Sequence, residues 1–423
     1  MKKQWYRLDN AALIFPAIMH RHWNNAFRVS VTFSDPVDLV VLKQTLRDLR
    51  HRFPTFFVRL RTGFFWNYLE EIDDDVVIDP DYAYPLTHMS RKNLRRCCIR
   101  VLYYENRVAV EFFHSVTDGT GGMAFVKNMA ACYIRNRYGI NVPQENGIVS
   151  VKEKPRAEEI ADVFPECSAK YASREVTEVV YKLYGEPEYD RFQHLVSGII
   201  DTSVLLEKAH SYNATITSFL SAVMIESIIN IQAHNVKEKK QKPVKISVPI
   251  DLRRLYNKQT YRNFVLAVNV GVDPRSGAYT LKELCDQVTS QLAVEVVPQK
   301  MSARIAANVK PAQLGILKIM PLPVKHFFMG LVYKQRGESL GCLNISNLGV
   351  AKVPGIMEPY IKRLEFIIGV QYSYPNNCSV VSYGGKTYVN MIRNTKQAEL
   401  EQVFFSRLVD LGIPVEIESN DRV

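Results

Sequence analysis

A strand that ends on a histidine is the feature that most constrains how this chain can fold. The β-branched and aromatic run 108–113 predicts a buried strand, and His114 follows it directly. Asp118 and Gly119 come next at fixed offsets, and two further glycines lead into a predicted amphipathic helix over about 123–137. A strand end of this kind aims one imidazole into a cleft, where it can act as a general base.

The carboxylate of Asp118 has two candidate roles. One is to orient the imidazole of His114 directly, as in a catalytic triad. The other is to turn away from the cleft and pair with an arginine, which we favour because Asp118 lies across a glycine-rich turn. Arg253, in the Asp-Leu-Arg-Arg sequence that follows a predicted strand ending at Ile250, is the best-placed partner. A bidentate arginine–carboxylate pair would hold the turn in a fixed geometry.

Other chemistries fit this motif less well. Ser115 follows His114 on an extended strand, so its side chain points to the opposite side, and no Gly-x-Ser-x-Gly motif is present. No second histidine or cysteine lies at ligand spacing near His114, so we expect no metal site. The glycines 119–122 lack both the P-loop and the dinucleotide-binding pattern. We interpret Gly119 as making steric room for a substrate.

The order of predicted elements indicates the fold class and the domain organisation. A length of 423 residues is large for one hydrophobic core and predicts two units. Strands and helices are interspersed with frequent hairpins, which favours an α+β fold with mixed sheets flanked by helices. We expect an N-terminal subdomain over 1–150, a charged, proline-containing connection over 151–190 and a C-terminal subdomain over 191–423. A strand, an aspartate and a helix recur near 27–49 and 194–211, which suggests two similarly built halves.

Charge and composition narrow the partners. The net charge is +11, but no nucleic-acid-binding signature accompanies it, so we expect no nucleic-acid partner. The basic stretch 237–245 is either a solvated loop or a rim that binds the phosphates of an acyl donor. Uninterrupted apolar runs fall short of the roughly 18 residues of a transmembrane segment, and no secretory signal is visible. The seven cysteines form no disulfide framework, so we expect free thiols in a cytoplasmic protein.

Three motifs, in this order along the chain, resemble those of a known family: His114-x-x-x-Asp118-Gly119 after an apolar strand, Pro249-Ile-Asp-Leu-Arg253, and Ser346-Asn-Leu-Gly349. Together they are similar to the chloramphenicol acetyltransferase-like superfamily, which includes alcohol acetyltransferases, polyketide-associated acyltransferases and condensation domains. The sequence 5–10 and the Arg-Phe-Pro at 52–54 resemble the bacterial alcohol acetyltransferase branch. The Asp-Phe-Gly-Trp-Gly signature of the plant enzymes is missing, so their substrate classes are not carried over.

The resemblance implies a V-shaped pair of like-built subdomains with a channel between them and the active histidine at mid-channel. It implies an acyl thioester donor, on coenzyme A or on an acyl carrier protein, and a hydroxyl or amine acceptor that enters from the other side. His114 would remove the acceptor's proton, with no covalent acyl-enzyme and no bound cofactor. Asp118 and Arg253 would form the supporting ion pair, and Gly119 would keep the channel open.

The tetrahedral oxyanion of such a reaction needs hydrogen-bond donors aimed at it. The resemblance offers Ser346 or Asn347 as suppliers from the second half of the chain. By residue type alone, a turn that closes a strand after Ile345 is at least as good an interpretation.

The sequence therefore favours an acyltransferase that moves an acyl group from acyl-CoA to an alcohol. A carrier-dependent condensation-type enzyme that forms amides or esters has the same fold, and a non-catalytic ligand-binding relative is the alternative from another class. The presence of His114, Asp118 and Arg253 together argues against a relative that has lost catalysis. Neither the acceptor nor the acyl length follows from the sequence.

Overall fold

Two five-stranded mixed sheets form the framework of the protein. The computed structural model describes residues 3–19, 25–81, 84–173, 178–336, 341–371 and 374–421. The strands are β1 (Trp5–Arg7), β2 (Ala26–Phe33), β3 (Val58–Thr62), β4 (Asn67–Glu71), β5 (Ile78–Pro80), β6 (Ile99–Tyr104), β7 (Arg107–Phe113), β8 (His194–Asp201), β9 (Val244–Asp251), β10 (Val265–Val272), β11 (Ile345–Val350), β12 (Ile361–Ile368), β13 (Asn376–Tyr383), β14 (Lys386–Arg393) and β15 (Glu416–Ser419). The helices are α1 (Leu39–Leu49), α2 (Arg91–Leu94), α3 (Gly119–Tyr138), α4 (Thr202–Ser211), α5 (Ile216–Asn235), α6 (Leu252–Tyr256), α7 (Leu281–Glu295), α8 (Pro298–Gln313), α9 (Gly315–Ile319), α10 (Leu322–Arg336) and α11 (Glu399–Asp410).

The first sheet has the order β12-β2-β7-β6-β5 and carries the histidine motif at the end of β7. The apolar runs 97–104 and 107–113 predict a hairpin across Glu105 and Asn106, and it is confirmed: β6 and β7 are antiparallel, Tyr104 pairs with Arg107, and Glu105 adopts a left-handed turn conformation with φ 49°. Helix α3 packs on β2 and against α1. The sequence predicts Gly139 as its C-terminal stop, and the helix does end at Gly139 in the left-handed conformation. A buried aromatic core fills the space between these elements.

One strand of the first sheet comes from the far end of the chain. β12 pairs antiparallel with β2 along its whole length, from Ile361 opposite Phe33 to Ile368 opposite Phe27. The second half of the chain therefore supplies an edge of the first sheet, which brings residues near 366 close to the histidine motif. The subdomain boundaries at 150 and 190 stay a prediction.

The second sheet has the order β11-β13-β14-β8-β15, and the two-stranded ribbon β9–β10 joins it beside β11 through a bridge between Ser247 and Asn344. Helix α5 packs against α7, α11 and β9 in the second core. The sequence offers Thr215 or Thr217 as the cap of this helix, and in the structure Thr215 caps it by accepting from the backbone N–H of Ser218. By length and composition α5 is the one helix among the described residues that could cross a membrane, and 67% of its most apolar window is buried inside the protein.

Several expectations about local structure are wrong. The sequence predicts that Ser-Asp-Pro at 34–36 opens the first helix, but α1 is capped by Asp38, whose carboxylate accepts from the N–H groups of Val40 and Val41. The sequence also predicts a strand at 342–345, and the strand lies instead at Ile345–Val350. The region 281–336, for which the sequence predicted no elements, forms α7 to α10.

Candidate active site

The imidazole of His114 is fixed by aromatic neighbours at the edge of a cleft. Directly after β7, its backbone N–H donates to the Asn25 carbonyl at 2.7 Å. The ring stacks on Phe15, with centroids 4.6 Å apart, and meets Phe27 edge-on at 5.2 Å. These contacts restrict rotation of the ring, since aromatic packing of this kind has a preferred geometry. His114 is partly buried and lines a cleft of about 300 Å³.

Asn263 sets the orientation of the imidazole. Its amide nitrogen donates to Asp9 Oδ2 at 3.0 Å and to the His114 carbonyl at 2.9 Å. The amide oxygen therefore faces the ring, where it lies 2.9 Å from His114 Nδ1. Because an amide oxygen only accepts, Nδ1 carries the proton and Nε2 keeps its lone pair. This is the tautomer that a general base with Nε2 as its reactive atom requires.

Asp9 anchors Asn263 from behind. Its side chain is fully buried, accepts from the Ala12 backbone N–H at 2.8 Å and forms an ion pair with Arg262 at 3.3 Å. Burial raises the pKa of Asp9, although Arg262 and the hydrogen bond from Asn263 act in the opposite direction. Sequence reasoning identified neither Asp9 nor Asn263, which are 254 positions apart. No local pattern could have paired them.

The ion pair predicted between Asp118 and Arg253 is present. Arg253 Nη1 and Nη2 donate to the two carboxylate oxygens, each at 3.0 Å, and both side chains are at least nine-tenths buried. Asp118 also caps α3 through the Gly121 N–H and accepts from the Phe264 N–H at 2.8 Å. The Asp118 carboxylate thus faces Arg253, and the side chain opposite His114 Nδ1 is Asn263. The interpretation in which Asp118 orients the imidazole directly is therefore wrong.

Arg253 reaches beyond this pair to the segment that carries Asn263. It donates from Nε to the Thr260 carbonyl at 2.7 Å and from Nη2 to the Arg262 carbonyl at 2.6 Å. Its fifth donor bond, from Nη1, goes to Asp251 at 2.9 Å. All five guanidinium N–H groups are therefore used. The ion pair fixes both the turn after His114 and the backbone on either side of Asn263.

Gly119 lies against two side chains from the second half of the chain, Phe366 and Leu348. A Cβ atom there would lie 2.9 Å from the Phe366 ring and 3.0 Å from Leu348, closer than real side chains pack. Gly119 lines the same cleft as His114. The structure agrees with the expected steric role of this glycine, because any side chain at this position would push on β11 and β12.

Ser346 and Asn347 also line the cleft. They lie within β11, so the alternative of a turn after Ile345 is wrong. Asn347 Nδ2 donates to Thr217 at 3.0 Å, and its Oδ1 accepts from the Gly349 N–H. Within the part of the chain that the structure describes, no hydrogen bond engages the Ser346 hydroxyl. Ser346 is therefore the freer donor of the two.

The basic stretch 237–245 contributes no residue to the cleft lining. Residues 237–240 are exposed, and Lys245 pairs with Glu178 at 2.5 Å. The exposure of 237–240 agrees with the solvated-loop interpretation of this stretch, and its alternative role as a rim for an acyl donor stays a prediction.

Comparison with known proteins places the fold. No family model and no curated protein matches the sequence. Among solved structures, TRI101 of F. graminearum in complex with coenzyme A and deoxynivalenol matches with a TM-score of 0.68 at 10% identity, covering 100% of both chains. The trichothecene 15-O-acetyltransferase TRI3 of Fusarium sporotrichioides matches with a TM-score of 0.61 at 11% identity, covering 97% of this chain and 94% of its own.

A wax ester synthase/diacylglycerol acyltransferase of Marinobacter aquaeolei matches with a TM-score of 0.58 at 12% identity, covering 96% of this chain and 99% of its own. At such identities the likeness concerns the fold. The chain has the chloramphenicol acetyltransferase-like fold of two subdomains, as the sequence predicted. The bacterial alcohol acetyltransferase branch stays a prediction.

Proposed function

We propose that this protein is an acyltransferase that moves an acyl group from a thioester donor, acyl-CoA, to the hydroxyl group of an alcohol. The observation that carries the proposal is the Asn263–His114 hydrogen bond, which leaves a basic nitrogen at a cleft between the two halves. The fold is shared with TRI101, whose structure contains coenzyme A, and with an enzyme named as a 15-O-acetyltransferase. These names support the choice of donor and acceptor.

The chemistry needs one proton relay. His114 Nε2 removes the acceptor's hydroxyl proton as that oxygen attacks the thioester carbonyl. A tetrahedral intermediate forms, the carbon–sulfur bond breaks, and the leaving thiolate takes the proton back from Nε2. No acyl group becomes covalently bound to the protein, and the proton that His114 takes from the alcohol ends on the product thiol. A positioned general base of this kind contributes roughly 10²–10⁴ in rate.

Ser346 is the proposed donor to the oxyanion. Its hydroxyl has no intramolecular partner among the described residues, so it can donate without first breaking another bond. Asn347, which is bonded to Thr217, shapes the wall beside it. Loss of an oxyanion donor costs about 10²–10³ in kcat in well-studied hydrolases.

Asp118 and Arg253 position the base from two sides in this proposal. They fix the turn that follows His114 and the segment just before β10 that carries Asn263. Neither residue exchanges a proton with the substrate.

A panel assay tests the proposal. The full chain is incubated with acyl-CoAs of increasing chain length and with primary, secondary and aromatic alcohols, and free thiol is measured with a thiol-reactive dye. Thiol release that requires both an alcohol and intact His114 is expected, together with the matching ester by mass spectrometry. Ester formation only from acyl carrier protein would favour the condensation-type alternative. Binding of acyl-CoA without any release would favour a non-catalytic relative.

A further inference from the structure

A second cavity of about 510 Å³ lies beside the cleft and is built almost entirely from apolar side chains. It is enclosed by the segment 10–14, the β3–β4 loop, the C-terminal part of α8, and α10. Ala11 lines both the cavity and the cleft, so the two spaces are neighbours. The volume falls within the range of small-molecule sites in proteins, and the lining is of the kind that such sites have.

Among the described residues that line this cavity, Lys325 is the one that carries a charge. Its side chain is 2% exposed, and its Nζ donates to the Phe65 carbonyl at 2.8 Å and lies 3.2 Å from the centre of the Trp66 ring. Among the described residues, no carboxylate lies within ion-pair distance of this ammonium group. A buried cation without an anionic partner is costly for a fold to keep, which points to an anion supplied by a ligand.

The mouth of the cavity is apolar as well. Phe328 and Val332, one turn apart on α10, line the cavity and yet are 50% and 51% exposed. Phe327 beside them is 69% exposed. A contiguous exposed apolar patch of this kind marks a site where an apolar molecule enters or binds.

We propose that this cavity binds an amphipathic monocarboxylate of the fatty-acid class, with the hydrocarbon chain against the apolar wall and the carboxylate on Lys325 Nζ. One cation in a lining that is apolar apart from Asn10 and Asn308 matches a molecule with one anionic head group and one apolar body. The proposal uses no residue of the His114 chemistry and stands apart from acyl transfer.

Isothermal titration calorimetry with decanoate, dodecanoate and tetradecanoate, each below its micelle concentration, tests the proposal. The expected result is one saturable site whose affinity rises about fourfold for each added methylene until the cavity is full. Trp66 fluorescence should change with the same midpoint, and Trp66→Phe should lose that optical change. Absence of saturable binding by every chain length would overturn the proposal.

Lys325→Met tests the head-group contact. Dodecanoate affinity should fall about tenfold or more, whereas the affinity for 1-dodecanol should stay as in the wild type. Equal affinities of wild type and variant for dodecanoate would show that Lys325 does not bind the carboxylate. Circular dichroism melting confirms that the variant is folded.

Two further variants locate the binding. Ala312→Phe, which fills the cavity, should remove binding of both the acid and the alcohol. Phe327→Ser, which changes only the exposed patch, should leave dodecanoate binding intact. Binding that is kept in Ala312→Phe and lost in Phe327→Ser would place the ligand on the surface of α10 and contradict the cavity site. His114→Ala should bind dodecanoate normally, so a failed acyltransferase assay and a failed binding assay are separate results.

Discussion

Asn263 Oδ1 lies 2.9 Å from His114 Nδ1, and the two residues are 149 positions apart in the chain. The amide is oriented by its donation to Asp9, so this contact fixes both the ring and its tautomer. A neutral amide is the orienting group here, whereas the Ser-His-Asp triad uses a carboxylate. The carboxylate of the motif, Asp118, has the separate task of pairing with Arg253.

Removal of the imidazole should reduce acyl transfer to a small residual rate without unfolding the protein. His114→Ala is expected to lower kcat/KM by about 10²–10⁴, because the general base is lost. Thermal melting should remain near the wild-type value, since the side chain is only partly buried. Near-normal turnover of this variant with a donor that the wild type uses would exclude His114 as the base.

Asn263→Ala should lower kcat with little change in KM, by about tenfold or more, because the imidazole can then adopt the wrong tautomer. The decisive measurement is the double variant with His114→Ala. If Asn263 acts through the imidazole, its removal has no further effect on the residual rate in that background. Additive losses would mean that Asn263 contributes in some other way.

Arg253→Ala should reduce stability and activity together. The change leaves the buried Asp118 carboxylate without its partner, which costs about 3–5 kcal/mol in the free energy of unfolding. Urea denaturation and kcat/KM are measured on the same preparations. Arg254→Ala, at the neighbouring exposed arginine, is the matched control and should change neither. Lost activity at unchanged stability would contradict the proposed structural role of the pair.

Gly119→Ala should narrow the cleft and strain the contact with Phe366 and Leu348. Overpacking of this kind costs about 1–3 kcal/mol of stability. The KM for the larger alcohols of the assay panel should rise. Gly330→Ala is the control, because no atom lies within 4 Å of a Cβ at that helical position. That variant should be neutral or slightly more stable. Equal behaviour of the two alanine variants would argue against steric restriction at Gly119.

The contribution of Asp162 to the stability of the protein should decrease as the pH rises from about 4 to 6. Burial raises the pKa of Asp162 to about 6, with the nearby Asp9 adding to the effect, from an ordinary value of 3.8. In this window the folded state binds a proton that the unfolded state releases, so unfolding becomes easier as the pH rises.

Asp162→Asn removes this contribution. The free energy of unfolding of the variant, relative to that of the wild type, should therefore be larger at pH 7 than at pH 4. Urea denaturation at both pH values measures the difference. Asp74→Asn, at an exposed carboxylate, is the control and should show no such gain. A stability difference between Asp162→Asn and wild type that does not change with pH would refute the assignment.

Local patterns in the sequence predict much of the fold. The β6–β7 hairpin, the capped helix α5 and the glycine that ends α3 follow from alternation, helical periodicity and capping residues within about ten positions. The Asp118–Arg253 pair was also predicted, because each residue lies a few positions after the end of a recognisable strand. In 281–336 the sequence predicted no elements, although four helices form there and α7 begins with a capping box made by Thr280 and Glu283.

The sequence by itself predicted that His114 and Asp118 belong to the site, and it predicted the strand and the helix on either side of them. Tertiary structure decided which distant groups meet them: Asn263 and Asp9 at the imidazole, β12 beside β2, and α8 with α10 around the second cavity. The physical reason is that caps and periodicities arise from neighbours in the chain. Strand pairing and side-chain hydrogen bonds across hundreds of residues depend instead on how the buried surfaces of both halves fit together.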